Sequence, residues 1–443
     1  MKKFLALMLT VLMLLSVCSA MAVAESTLPT FDQIVLGENT DLTAKIHFVY
    51  HRTDIPDKLD GYVKEFQKIY PNVEIEYELI TDYAENSLLR VGNTDWTIMG
   101  IPTVEKDELP NYFVPLGDLA TLENEYNFMS SWSVNGVCYG IPSTAAAQGV
   151  LYNKAVFEAA GITELPKTPD EFIAALKAVK EKTDAIPLYT NYAAGWTMGA
   201  WDAYIGVAAT GKASYMNQDL LHAENPFADR GDGTGPYAVY KILYDAVAGG
   251  LIEEDYTTTD WEGCKGMMNR GEIATMVLGS WAYTQMQQAG DKPEDIGYMA
   301  FPITVDGKQF APAGGDYNFA INVQASDDEK LASMYYLKWL THESGFSYSE
   351  GGLPINKDGE YPDLYAAFEG IDMVADDPAL EGEETLLNEL NSESELALNA
   401  GGNTKVQAIV EHAFNGDESF DDIMNEWNEA WSEAQQSLGV EIK

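Results

Sequence analysis

The residue types in this chain that could carry chemistry are indoles and carboxylates. Trp281 has the most pointed setting. In GEIATMVLGSWAYTQMQQAG, which begins at Gly271, an apolar run from Ile273 to Leu278 stops at Gly279-Ser280, delivers Trp281 and passes at once into a helix-like segment. If that run is a central strand, Trp281 stands at its C-terminal end, beside the free N–H groups of a helix start. An indole there presents a flat apolar face suited to the axial C–H face of a pyranose. Packing between helix and sheet explains the same residue equally well from pattern alone. A sugar also needs planar polar groups that donate and accept in pairs. Asp54, in HRTDIPD, is one candidate, with helix N-capping as its competing role. Asp316 and Tyr317, in GGDYNF, form another, against which stands a turn demanded by Gly314-Gly315. NYAAGWTMGAW carries Trp196 and Trp201 five residues apart, so one helical face cannot present both alike. Trp261 reads as packing, as do Trp427 and Trp431, which are i, i+4 on one helical segment. Arg52 and Lys154 could neutralise an acidic ligand, although a solvated or hinge-lining role is favoured for Lys154.

Other chemistries find less support. No Ser-His-Asp, HExxH or P-loop pattern is present. With 70 acidic side chains a pair of carboxylates flanking a glycosidic bond is easy to imagine, but sequence cannot set their separation. The loops NKDGEYPD and DRGDGTG do not fit EF-hand spacing, and five histidines are too few to suggest zinc. We therefore expect no metal and no cofactor. Cys138 and Cys264 lie far apart without CxxC spacing and read as small buried hydrophobes.

The elements that must position these groups follow from pattern. Lys2 and Lys3, the apolar stretch Phe4 to Val17 and the Ala22-Val23-Ala24 site read as an export signal, with cleavage after Ala24 favoured over lipidation at Cys18. No other segment is long and apolar enough to cross a membrane. The formal charge of -44 argues against nucleic acid or anionic membrane as partner; solubility is the simpler reason for it. At 443 residues two domains are the default. After a polar leader at 25–43, AKIHFVY (44–50) is a buried strand, DKLDGYVKEFQKIYP a helix stopped by Pro71, and VEIEYELI (73–80) a half-buried strand. Strand, helix, strand at that spacing is a βαβ unit in a parallel sheet. Further strands are expected around Val150-Tyr152, at IPLYTN from Ile186 and at NFAINV (318–323). Thr168 with Glu171, and Ser326 with Glu329, are capping boxes that open helices. The C-terminal quarter is mostly helical.

The order of these patterns resembles a known family. NGVCYGIPSTAAAQGVLYNKAVFEAAGITELPKTPDEF is similar to the hinge-crossing region of family 1 extracellular solute-binding proteins, which serve ABC importers. MNRGEIATMVLGSWAY resembles the family's Gly-Glu/Lys-x-Ala-Met…Gly-x-Trp block. FPITVDGKQFAPAGGDYNFAINVQASDDEKLASMYYLKWLTHE resembles the second crossing and interlobe helix that follow. The blocks keep the family's order over most of residues 44–350. VGNTDWTIMGIP departs from the usual Pro-Asp-Val/Ile strand, and little aligns after Tyr361. The resemblance implies an α/β, two-lobed periplasmic-binding-protein-like fold with an interlobe cleft and hinge-crossing strands. Lobe 1 is expected at 44–143 and 312–342, lobe 2 at 144–311 and 343–443. It places Trp281 and Trp196 at the cleft and Trp96 facing it from the first lobe, with Asp54, Asp316 and Tyr317 as polar partners. The implied function is an exported, monomeric receptor that captures a carbohydrate, a neutral oligosaccharide, by hinge closure and hands it to ABC permease subunits at the cell surface or in a periplasm. The alternatives are a cationic ligand such as a polyamine, held by aromatics and carboxylates, and a secreted glycoside hydrolase.

Overall fold

The computed structural model describes residues 28–81, 83–400 and 403–443; the expected export signal and Cys18 lie outside the described residues. Every strand candidate named above forms one. In chain order the strands of the two large sheets are β1 (Ala44–Tyr50), β2 (Val73–Leu79), β3 (Ile98–Gly100), β4 (Ile141–Pro142), β5 (Ala145–Asn153), β6 (Ile186–Leu188), β7 (Ile273–Gly279), β8 (Ile296–Met299), β9 (Phe310–Gly315), β10 (Asn318–Ile321) and β11 (Asp372–Val374). The first sheet has the order β2-β1-β3-β10-β4, with β1 parallel to both β2 and β3. The second has the order β11-β9-β5-β7-β6, with β8 also paired to β5. In it β7 lies parallel to β6 and antiparallel to β5. Each sheet is the spine of one lobe.

The βαβ unit shows how pattern becomes packing. The helix Pro56–Phe66 opens on its proline and buries Leu59, Val63 and Phe66, the 3.6-residue stripe of its sequence. Each such side chain contributes roughly 1.5–3 kcal/mol on burial. Phe66 meets Tyr336 at 4.9 Å, which brings the helix Asp327–His342 onto the same face of the first sheet. That helix starts with the expected capping box at Ser326 and Glu329. The other box is only half formed. Thr168 accepts from the Glu171 amide, while the Glu171 carboxylate reaches the amide of Lys167 instead of that of Thr168.

Two antiparallel crossings, β4 into β5 and β9 into β10, join the lobes. They hold each other through Asp316 N–H to the Thr144 carbonyl at 2.9 Å and Ser143 N–H to the Tyr317 carbonyl at 3.0 Å. A third strand of chain comes alongside where Leu353 bridges to Ala145. Three details differ from expectation. The segment expected as a leader packs into the first lobe, with Phe31 and Ile34 buried and Phe31 against Tyr126. The positions 312 and 343 cut through packed structure: Ala313–Gly315 still pair with β5, and Phe346 packs on Tyr62 of the first lobe. The crossing also makes no left-handed turn at Gly314-Gly315, neither of which has a positive φ. Gly315 is instead confined by space, because a Cβ there would come within 2.9 Å of Pro142 on the neighbouring crossing. Cys138 and Cys264 are free and buried. Among the described residues no helix is long and apolar enough to cross a membrane.

Candidate functional site

Between the lobes lies a cavity of about 740 Å³. It sits beyond the C-terminal ends of the parallel strands, where ligands of open α/β sheets bind. From the first lobe, His51 to Asp54 follow β1, and Ile80 and Thr81 follow β2; Thr144 to Ala146 and Asp316-Tyr317 come from the crossings.

The second lobe supplies an aromatic wall. Trp196, Trp261 and Trp281 line the cavity with ring centroids 5.2 to 5.7 Å apart. Each is the first residue of its helix: Trp196–Gly199, Trp261–Arg270 and Trp281–Gln288. A helix start at the end of a strand or loop projects its first side chain out of the layer rather than into it. Trp281 is set by β7, every residue of which is buried, so the chain emerges at Gly279 with no freedom to shift. A Cβ on Gly279 would lie 2.5 Å from the Trp281 Nε1, so only glycine lets the indole fold back over the strand end. Ser280, fully buried, ties the same corner to β5 by accepting from the Ala147 amide at 3.1 Å. Trp261 is fixed by Asp260, whose carboxylate accepts from the amides of Glu262 and Gly263. Lys265 lies 4.7 Å over the Trp261 ring and pairs with Glu262 at 2.9 Å. Trp196 follows Gly195, which sits at φ 70°. Trp196 itself is 44% exposed, high for an indole without a surface role.

Opposite stands a charged and polar wall in which Arg52, Asp54 and Glu350 answer one another, while Asp316 has no ion pair. Asp54 takes a two-point hydrogen bond from Arg52, at 2.8 and 2.9 Å. Arg52 also reaches the buried Glu350 at 2.6 Å, and Lys58 reaches the same carboxylate at 2.9 Å. Burial works against the ionised Asp54, but the Arg52 hydrogen bonds and charge outweigh it and hold the carboxyl below its ordinary value. Asp54 caps no helix; the N-cap of Pro56–Phe66 is Ile55. His51 lies against Tyr317, centroids 4.6 Å apart, and Tyr317 against Tyr83 at 5.0 Å. Burial pushes the His51 pKa below the usual histidine value despite the nearby Asp316, which leaves a neutral imidazole. Its Nδ1 is buried without a hydrogen-bond partner. Asp316 takes the Tyr317 amide at 2.8 Å.

Of the six residues expected at the site, Trp281, Trp196, Asp54, Asp316 and Tyr317 line this one cavity. Trp96 does not. It is 2% exposed, packs on Phe113 and donates its indole N–H to the Arg90 carbonyl, because VGNTDWTIMGIP turns it inward beneath β3. Trp201 is buried against Phe301, and Trp431 within the C-terminal helices. Sequence reasoning assigned Trp261 to packing and passed over His51 and Glu350. For Trp261 a signal existed: Asp260 is an N-cap residue, which makes the next position a helix start like those of its two partners. Glu350 had none, since nothing in sequence links it to Arg52.

The sequence profile of the bacterial extracellular solute-binding proteins matches residues 52–345. A solved structure, the manno-oligosaccharide-specific solute-binding protein of Bifidobacterium animalis subsp. lactis in complex with mannotriose, is 48% identical with a TM-score of 0.89, over 92% of this chain and 99% of that one. The multiple sugar-binding protein of Streptococcus mutans is 23% identical over 346 residues, 74% of this chain and 79% of its own length. The diacetylchitobiose-binding protein DasA of Streptomyces coelicolor is 44% identical over 250 residues, 54% of this chain and 56% of its own length.

Proposed function

The chain belongs to the bacterial extracellular solute-binding protein family, and from that premise we propose that it captures a neutral oligosaccharide, of the manno-oligosaccharide class, and delivers it to the permease of an ABC importer. The observation that carries this reading is the wall of three tryptophans facing a polar wall whose charges, Asp316 apart, are already paired. Stacked indoles take the C–H faces of sugar rings at small entropic cost. Asp54, Asp316, and the Gln285 and Gln288 side chains that also line the cavity, offer hydroxyl groups acceptors and donors. The 48% identity to a mannotriose-binding protein supports the saccharide class.

The paired charges weigh against a polyamine. A polyamine would need several free carboxylates, whereas Asp54 and Glu350 share Arg52, Glu262 is bound to Lys265, and among the described residues of the lining Asp316 alone is a carboxylate without an ion pair. Asp54, held ionised by Arg52, does not supply the general acid with a raised pKa that glycoside hydrolysis needs. Mechanism is then capture and closure: the lobes move about the crossings, and each supplies contacts that exist together only when shut. Export, a monomeric state and two lobes exchanging chain near 143/144 and 311/312 belong to the same proposal; a third exchange would lie beyond Phe346, which packs on Tyr62 of the first lobe.

A thermal-unfolding panel on residues 25–443 tests it, with mannobiose, mannotriose, diacetylchitobiose and spermidine as probes. A ligand at 100 times its Kd adds about 2.7 kcal/mol of stability. Stabilisation by the manno-oligosaccharides, with the glycan recovered uncleaved, is the expected result. Stabilisation by spermidine alone would overturn the proposal in favour of a cationic ligand.

A further inference from the structure

We infer that the cleft continues past the Asp316–Tyr317 ridge into a second saccharide subsite on the first lobe, built on Trp132 and Asn318; this rests on the oligosaccharide reading above. A separate cavity of about 300 Å³ opens there. Asp316 and Tyr317 line both cavities, so the two share a wall. Among the described residues Asp316 is the one charged side chain on the lining of the smaller cavity, and the rest of the lining is neutral.

Two groups in it match what a pyranose needs. Trp132 is half-buried, packed at one edge on the first-lobe core, and its indole lines the space. Asn318 is 2% exposed, and its amide Nδ2 is spent on the Asp316 carbonyl at 3.0 Å. Its Oδ1 is buried with no hydrogen-bond partner. An unanswered buried acceptor is costly, and a ligand hydroxyl donating to it would recover that cost. The backbone of Asn318 pairs with Pro142 of the neighbouring crossing, and the Nδ2 bond to the Asp316 carbonyl holds the side-chain amide in this orientation. A saccharide lying on the three-tryptophan wall would reach this subsite only by passing over Tyr317. The subsite therefore reads chain length, adding affinity for longer oligosaccharides and nothing for short ones.

Titration calorimetry with mannobiose, mannotriose and mannotetraose, on wild type and on Trp132→Ala, tests this directly. The expected result is a wild-type Kd that falls by about tenfold or more with chain length, and a variant that keeps the mannobiose Kd within about twofold but loses that gain. Thr103→Trp, at an exposed position on the rim of the same cavity, fills the space without touching the core and should show the same length-selective loss. A variant weakened equally for all three glycans, or one unchanged on mannotetraose, overturns the inference while leaving the receptor reading intact. Wild type binding none of the three would overturn both.

Discussion

The tryptophans divide by what lies behind them, and each class makes its own prediction. Trp281 rests on a rigid strand end and has one face free. Trp281→Ala should weaken mannotriose binding by about 2 kcal/mol, roughly thirtyfold in Kd, the range of a buried aromatic anchor. Calorimetry would measure it, with unfolding of the unliganded variant as a control for folding. Trp96 gives the opposite pattern. Trp96→Phe removes the indole hydrogen bond to the Arg90 carbonyl, which keeps its bond from the Asn93 amide, so it should cost about 0.5–1.5 kcal/mol of stability and leave the Kd of the folded protein unchanged. Asp54 carries a pH signature. Its folded pKa lies below the unfolded value near 3.8. Its contribution to stability is therefore complete above that pH and is lost as pH falls through the lower, folded pKa. In urea titrations, the difference between wild type and Asp54→Asn should be constant from pH 5 to 7 and shrink on acidification below 3.8. The identities of these residues were legible in sequence. Which of them met was not: Trp96 and Trp196 both lie near strands rich in apolar residues, and only packing turned the first inward and the second outward.

At the scale of elements, the site depends on how strands end. β7 is buried along its whole length, so Trp281 can be moved only by changing its exit. Gly279→Ala places a Cβ 2.5 Å from the indole Nε1. It should displace Trp281 and weaken mannotriose binding by about tenfold or more, with far-ultraviolet circular dichroism unchanged; an unaltered Kd would show that the glycine serves only the strand. The elements themselves were well announced. β1 and the helix Asp327–His342 lie where periodicity and a capping box put them, because both are local and their patterns are unbroken. The half-formed box at Thr168 shows the limit of such signals, since Glu171 had two amides within reach and took that of Lys167. The short strand β11 carried no signal at all, because three residues are too few to show a period and its partners on β9 lie 62 residues away in sequence (Phe310 opposite Asp372).

For the whole molecule, the lobes are joined by a few crossings, which hold each other through the Asp316–Thr144 and Ser143–Tyr317 backbone hydrogen bonds. That architecture predicts a hinge. Small-angle scattering should show a radius of gyration that decreases on adding saturating mannotriose, whereas spermidine should leave it unchanged. The association rate for a neutral glycan should be nearly independent of salt despite a formal charge of -44, because the field steers only charged ligands. A steep salt dependence would point back to a cation.

Sequence by itself determined the fold class and those strands and helices that carry a local pattern, and it named five residues that line one interlobe cavity, because hydrophobic period, caps and breakers act over a few residues and survive being read in isolation. Tertiary structure alone decided that Trp261 joins Trp196 and Trp281, that Trp96 belongs to the core, and that Glu350 neutralises Arg52 from 298 residues away. Those outcomes depend on which surfaces meet when two sheets are joined by narrow crossings. No local pattern encodes that meeting, since the same tryptophan is stable in a wall or in a core and only its neighbours in space select between them.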